Sequence, residues 1–166
     1  MSRIVPAVMS AMLVSVAAIA DEIPEAIAHY LFDEGTGETL LDRSGHNLRG
    51  TIIGAAWATE SGKPVLRFDG HGDYVDFGDN RALKRAGDLT ILAWVHLDAS
   101  PYPDGMTNWT IVDCEEYRRE GFILRIDGAA SRLMYRVSQA GAEQAGFGKV
   151  TLDNHETYFL GLVQRE

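Results

Sequence analysis

Leu66-Arg-Phe-Asp-Gly-His-Gly-Asp-Tyr-Val-Asp-Phe77 places two short apolar strands on either side of a turn made from Asp and Gly. Working outward, Tyr30-Leu-Phe-Asp-Glu-Gly-Thr-Gly-Glu-Thr-Leu-Leu-Asp-Arg-Ser-Gly-His-Asn-Leu-Arg-Gly50 has the same construction. Glycine reaches positive φ without steric cost, and Asp or Asn side chains bond their own backbone two residues on. Each strand is therefore followed by an enforced reversal, which predicts an all-β chain.

The rest of the sequence keeps this pattern. Runs rich in β-branched and aromatic residues alternate with turn clusters, predicting strands near 28–33, 51–57, 64–69, 73–77, 88–98, 109–114, 121–127, 132–138, 147–152 and 157–164. Alternation puts Leu133, Tyr135 and Val137 on one face and Met134, Arg136 and Ser138 on the other, as in a sheet buried on one side. Leu89 to Leu97 is apolar on both faces, which predicts a central strand covered on both sides with Trp94 in the core. One short helix is expected over Asn80 to Arg85, capped by Asp79 and stopped by Gly87. The architecture expected from these elements is a two-sheet antiparallel β-sandwich.

Phe32-Asp-Glu-Gly-Thr-Gly37, Asp42-Arg-Ser-Gly45, Phe68-Asp-Gly70, Asp73-Tyr-Val75 and Leu89-Thr-Ile-Leu-Ala-Trp-Val95 together resemble the laminin-G-like jelly-roll domain of the concanavalin A-like lectin/glucanase superfamily. The resemblance covers most of the chain after residue 28. It implies a jelly roll over 28–166, and a hairpin and further strands would normally follow Tyr158-Phe-Leu-Gly-Leu-Val163. The expectation is a C-terminally truncated domain with an uncovered edge strand, able to associate with another copy.

Residues 1–20 have the form of a signal peptide: a cationic start at Arg3, an apolar run from Ile4 to Val16, and small residues at Ala18 and Ala20. About 13 residues at roughly 1.5 Å each span about 20 Å, short of a hydrocarbon core near 30 Å. Cleavage after Ala20, a linker over 21–27 and a secreted or extracytoplasmic location are expected, with no membrane insertion afterwards. The net charge of −9 argues against nucleic acid or anionic membrane as a partner. Cys114 is the sole cysteine, so no internal disulfide can form.

Catalytic motifs are broken wherever they begin. Gly54 to Lys63 has the wrong spacing for a P-loop, with Pro64 where Ser or Thr is needed. His155-Glu156 lacks the second histidine of a zinc helix. No Gly-x-Ser-x-Gly occurs, and no serine nucleophile is expected to have a base beside it. Sandwich glycoside hydrolases carry Glu-x-Asp-x-x-Glu, which on Asp113 would require Glu in place of Ile111. Asp113, Glu115 and Glu116 therefore read as a solvated acidic loop, and no enzyme activity is expected.

Two kinds of binding site can be drawn from the residues. Asp42 and Asn47 flank one turn, and Asp69 and Asp73 flank another, so their oxygens could hold a structural calcium ion. Tyr102, Trp109 and Tyr117 are candidate ligand-binding aromatics near loops 99–108 and 115–121, since sugars stack on aromatic faces. The function these features imply is a secreted, non-catalytic recognition or adhesion module for a polysaccharide or an extracellular protein. The alternative is a structural accessory domain of a larger secreted enzyme or surface protein, with no ligand of its own.

Overall fold

The computed structural model describes residues 26–80, 82–83, 88–98, 108–115, 120–128, 130–139 and 142–165. The expected signal peptide lies outside them. The chain is all-β, with no helix among the described residues, and divides after Phe77 into two compact units.

The first unit holds β1 (Thr39–Leu40), β2 (Gly50–Ile53), β3 (Ala56–Glu60), β4 (Lys63–Arg67) and β5 (Tyr74–Asp76). They form a three-stranded antiparallel sheet in the order β1-β2-β5 and a separate β3-β4 hairpin. Ser61 and Gly62, at φ of 50° and 78°, make the two-residue turn of that hairpin. Positive φ at both turn positions matches the twist of paired strands. Gly50 lets β2 pass close to its neighbours: a Cβ there would lie 2.3 Å from Val75 Cγ1 and 2.7 Å from Phe77 Cε1.

The predicted strand over 28–33 does not form. Phe32 adopts φ of 55°, a left-handed conformation that interrupts extended backbone, and only an isolated bridge joins Tyr30 to Asp42. The segment is held by side chains instead. Tyr30 donates its hydroxyl to Leu48 O at 2.6 Å and stacks on Phe77 with ring centroids 4.8 Å apart.

The second unit holds β6 (Leu89–His96), β7 (Asn108–Asp113), β8 (Gly121–Asp127), β9 (Arg132–Gln139), β10 (Ala142–Thr151) and β11 (Thr157–Gln164). One sheet runs β10-β9-β8-β7 and a second pairs β11 with β6, all antiparallel. Two apolar clusters join these sheets. Leu97, Leu152 and Leu160 meet Ile126, with Trp109 and Leu133 packed alongside, and Leu162 meets Phe122, Leu124 and Val137, with Ile91 and Tyr135 alongside. Leu133, Tyr135 and Val137 thus share the inward face that their alternation predicts.

Two burial expectations are reversed. The outward row of β8 and β9 is buried as well, with Ile123 at 5%, Met134 at 8% and Ser138 at 3% exposure. On β6 the opposite holds: Leu92 is 52% and Trp94 69% exposed, so this strand is covered on one face only and Trp94 is not a core residue. Composition shows which rows are apolar, whereas tertiary neighbours decide which rows are covered.

The expected helix at 80–85 falls partly outside the described residues. Within them, Asn80 contributes to the turn, its Oδ1 accepting from Ala82 N at 3.0 Å while its carbonyl accepts from Leu83 N at 3.1 Å. Cys114 is half-buried beside the second apolar cluster, and its thiol donates to Leu83 O at 3.1 Å.

Candidate functional site

The turn at Asp42 is densely hydrogen-bonded. Asp42 Oδ1 accepts from His29 N at 3.0 Å and Ser44 N at 2.8 Å, and Oδ2 accepts from the Ser44 hydroxyl at 2.8 Å and Leu48 N at 3.0 Å. Burial opposes its ionisation, but the backbone donors of Leu48, His29 and Ser44 and the Ser44 hydroxyl outweigh that and hold the carboxyl at about 2. The Tyr30 phenol is pushed well above its ordinary range, by burial first and by the Asp42 charge second.

Each of the four residues expected at a calcium site serves its own turn. Both oxygens of Asp42 are saturated by four donors. Asn47, at φ of 59°, accepts Arg49 Nε on Oδ1 at 2.9 Å. Asp69 Oδ1 accepts His71 N at 2.6 Å, and Asp73 Oδ2 accepts Asp69 N at 2.8 Å. None of the three aspartates joins a cluster of three or more Asp, Glu, His or Cys ligand atoms within 4.8 Å of one another among the described residues. These carboxylates act as internal acceptors that stand in for missing backbone partners.

A base does sit beside a serine, contrary to the sequence expectation: His46 Nδ1 lies 3.1 Å from Ser44 Oγ. The order is nevertheless wrong for nucleophilic catalysis. Ser44 Oγ lies 2.8 Å from Asp42 Oδ2 and 3.1 Å from Ile27 O, so the hydroxyl lies between carboxylate and imidazole, whereas a triad needs the imidazole in the middle.

The acidic loop is corrected too. Glu115 is not solvated. Its side chain is 4% exposed and is clasped by Arg136, whose Nε reaches Oε1 at 2.8 Å and Oε2 at 3.1 Å while Nη2 also bonds Oε2. Ser138 donates to Oε1 at 2.9 Å, and Asp113 Oδ1 accepts Glu115 N at 3.0 Å. Glu116 lies outside the described residues. A carboxylate neutralised in this way is a structural anchor between the end of β7 and β9, not a free acid or nucleophile.

Of the expected ligand-binding aromatics, Tyr102 and Tyr117 lie outside the described residues. Trp109 is half-buried, on the inward side of β7 against Leu97, Ile126, Leu152 and Leu160. A pair of exposed aromatics lies elsewhere. On the outward face of β6 and β11, Trp94 and Phe159 are opposite each other in register, 69% and 55% exposed, with ring centroids 4.9 Å apart and planes inclined by 38°. Leu92 and Val163, at 52% and 58%, extend the patch along the strands. At one end His96 Nδ1 and Thr157 Oγ1 form a polar contact at 2.9 Å. The alternation of Leu92 and Trp94 against Ile91, Ala93 and Val95 was visible in sequence, but an apolar row reads as core until the layers are assembled.

No protein-family model matches the chain, and no curated protein or solved structure is significantly similar to it. No helix among the described residues is long and apolar enough to cross a membrane.

Proposed function

We propose that this chain is a non-catalytic recognition module, a laminin-G-like jelly roll exported by its N-terminal segment, that binds polysaccharide through the outward face of β6 and β11. The observation that carries the reading is the exposed Trp94–Phe159 pair, continued by Leu92 and Val163 and edged by His96 and Thr157. An exposed contiguous apolar patch rimmed by polar groups is a usual form of interaction site, because burying it on a ligand recovers free energy that solvation withholds. Aromatic rings offer flat apolar faces to the C–H surfaces of sugars, and hydroxyl or imidazole groups at the margin bond sugar hydroxyls. The same acceptor-saturated Asp42 turn and neutralised Glu115 that hold the fold leave neither as a reactive group, in keeping with recognition without bond chemistry.

The test is retention on a panel of insoluble polysaccharides, comparing the wild-type chain with Trp94→Ala and with Trp109→Phe. Retention of the wild type and of Trp109→Phe, with Trp94→Ala weakened at least about tenfold, or ~1.4 kcal/mol, is expected. If no polysaccharide retains the wild-type chain, or Trp94→Ala binds as well as the wild type, the reading fails.

A further inference from the structure

We infer that the outward face of β6 and β11 takes single, solvated polysaccharide strands and not the flat surface of a crystalline polymer, an inference that rests on the polysaccharide reading above and narrows it. Trp94 and Phe159 stand opposite each other with their planes inclined by 38°. An aromatic ring holds a sugar by laying its apolar face on the sugar's C–H face. A crystalline surface presents its sugar faces in one plane, so two rings inclined to each other cannot both lie flat on it. A single polysaccharide strand has rotatable bonds between its sugars, and consecutive units can turn to meet one ring and then the other.

The inclination is held from two sides. With centroids 4.9 Å apart the rings pack on each other, and turning both into one plane gives up that contact. The backbone acts in the same sense. β6 and β11 pair over every position from Leu89 with Gln164 to His96 with Thr157, with no bulge. Paired strands are rotated relative to one another by roughly 20–25°. The outward rows Thr90–Val163, Leu92–Gly161, Trp94–Phe159 and His96–Thr157 therefore turn along the ribbon instead of sharing a plane.

The polar groups of the face favour the same ligand. Thr90 is exposed at one end, and His96 and Thr157 are exposed at the other, their side chains 2.9 Å apart. From Thr90 to His96 the face runs about 20 Å at roughly 3.4 Å per residue, long enough for a few sugar units. In a crystalline polymer the sugar hydroxyls are largely bonded to neighbouring strands, whereas those of a solvated strand can bond a threonine hydroxyl or an imidazole.

The experiment measures adsorption isotherms of the purified protein, its N-terminus defined by mass spectrometry, on microcrystalline and acid-swollen cellulose and on crystalline and colloidal chitin. For any other polysaccharide that retains the protein, soluble fragments of that polymer made by partial hydrolysis are used as competitors. Affinity is compared and not capacity, since swelling exposes more surface. The expected result is an apparent Kd at least about tenfold lower on the swollen or colloidal form than on the crystalline one, with soluble fragments displacing bound protein. Phe159→Ala should weaken binding to the swollen form and narrow the difference, because a lone Trp94 ring has no inclined neighbour. Equal or tighter binding to the crystalline form, soluble fragments that displace nothing, or an unchanged preference in Phe159→Ala would each overturn the inference while leaving polysaccharide binding in place. No retention on any polysaccharide would instead sink the polysaccharide reading itself, and the inference with it.

Discussion

Arg136 on β9 clasps the carboxylate of Glu115 with two of its nitrogens, and Ser138 two residues further along the same strand completes the acceptor set. Removing one partner strands a charge in a site where Glu115 is 4% exposed. Arg136→Met is expected to destabilise the chain by about 3–5 kcal/mol, measured by chemical denaturation. The double variant Glu115→Leu/Arg136→Met should recover most of that loss, because the desolvation cost of both charges disappears with them. A single variant as stable as the wild type would show the pair to be solvated.

Gly121 begins β8 at φ of 109°, where an added Cβ would lie 2.1 Å from Cys114 O. Gly121→Ala must therefore bear both an unfavourable backbone conformation and an overlap with rigid main chain. A loss of at least about 2 kcal/mol is expected. Gly62→Ala is the control: φ is 78° but nothing lies within 4 Å, so only conformational strain of about 1 kcal/mol remains. Equal melting temperatures for the two variants would contradict the close approach at Gly121.

Acid should loosen the Asp42 turn. Its folded-state carboxyl is depressed from 3.8 to about 2, so the stabilisation is fully present above 3.8 and is lost as pH falls toward about 2. Asp42→Asn is expected to be less stable than the wild type at neutral pH, with the difference shrinking across that interval. A difference between the two that does not change with pH would show that the charge of Asp42 is not what the four donors stabilise.

Excess calcium and excess chelator should give the same melting curve. Asp42 has no acceptor capacity left, and Asp69 and Asp73 already bond the backbone of their own turn. A ligand specific to the native state would stabilise it by RT ln(1 + [L]/Kd) and so raise the melting temperature. An upward shift with calcium would reveal a site that these hydrogen bonds do not occupy.

Trp94 should dominate collisional quenching of fluorescence. It is 69% exposed, whereas Trp57 and Trp109 are both half-buried. Trp94→Phe should remove most of the acrylamide-quenchable emission and blue-shift the remainder. Unchanged quenching would mean the outward face of β6 is covered in solution.

β8 and β11 are legible to the residue, β8 from its alternation and β11 as a continuous apolar run after the Asp153-Asn154 turn. The Phe32 segment is not, since an apolar Tyr-Leu-Phe run looks extended until one asks which backbone it would pair with. It is tied instead by hydrogen bonds from His29 and Tyr30 to Asp42 and Leu48, both distant in sequence. Glu115 was misread for a similar reason: an acidic triplet before a glycine looks solvated, and its partner Arg136 is reached only through the pairing of β8 with β9. The Asp-Gly turns were read correctly as turns, and the convergence of four donors on Asp42 is decided by residues distant in sequence as well as by its own turn.

By itself the sequence determines the all-β class, the reversals at the Asp, Asn and Gly clusters, and which residues share a face. These are local consequences of φ preferences and of the pleat. Tertiary structure alone decided that β6 pairs with β11, that the outward row of β8 and β9 is buried, and that Trp94 faces solvent. Burial depends on which surfaces meet across long stretches of chain, and an apolar row is the same sequence whether it lies in a core or on a surface left for a partner.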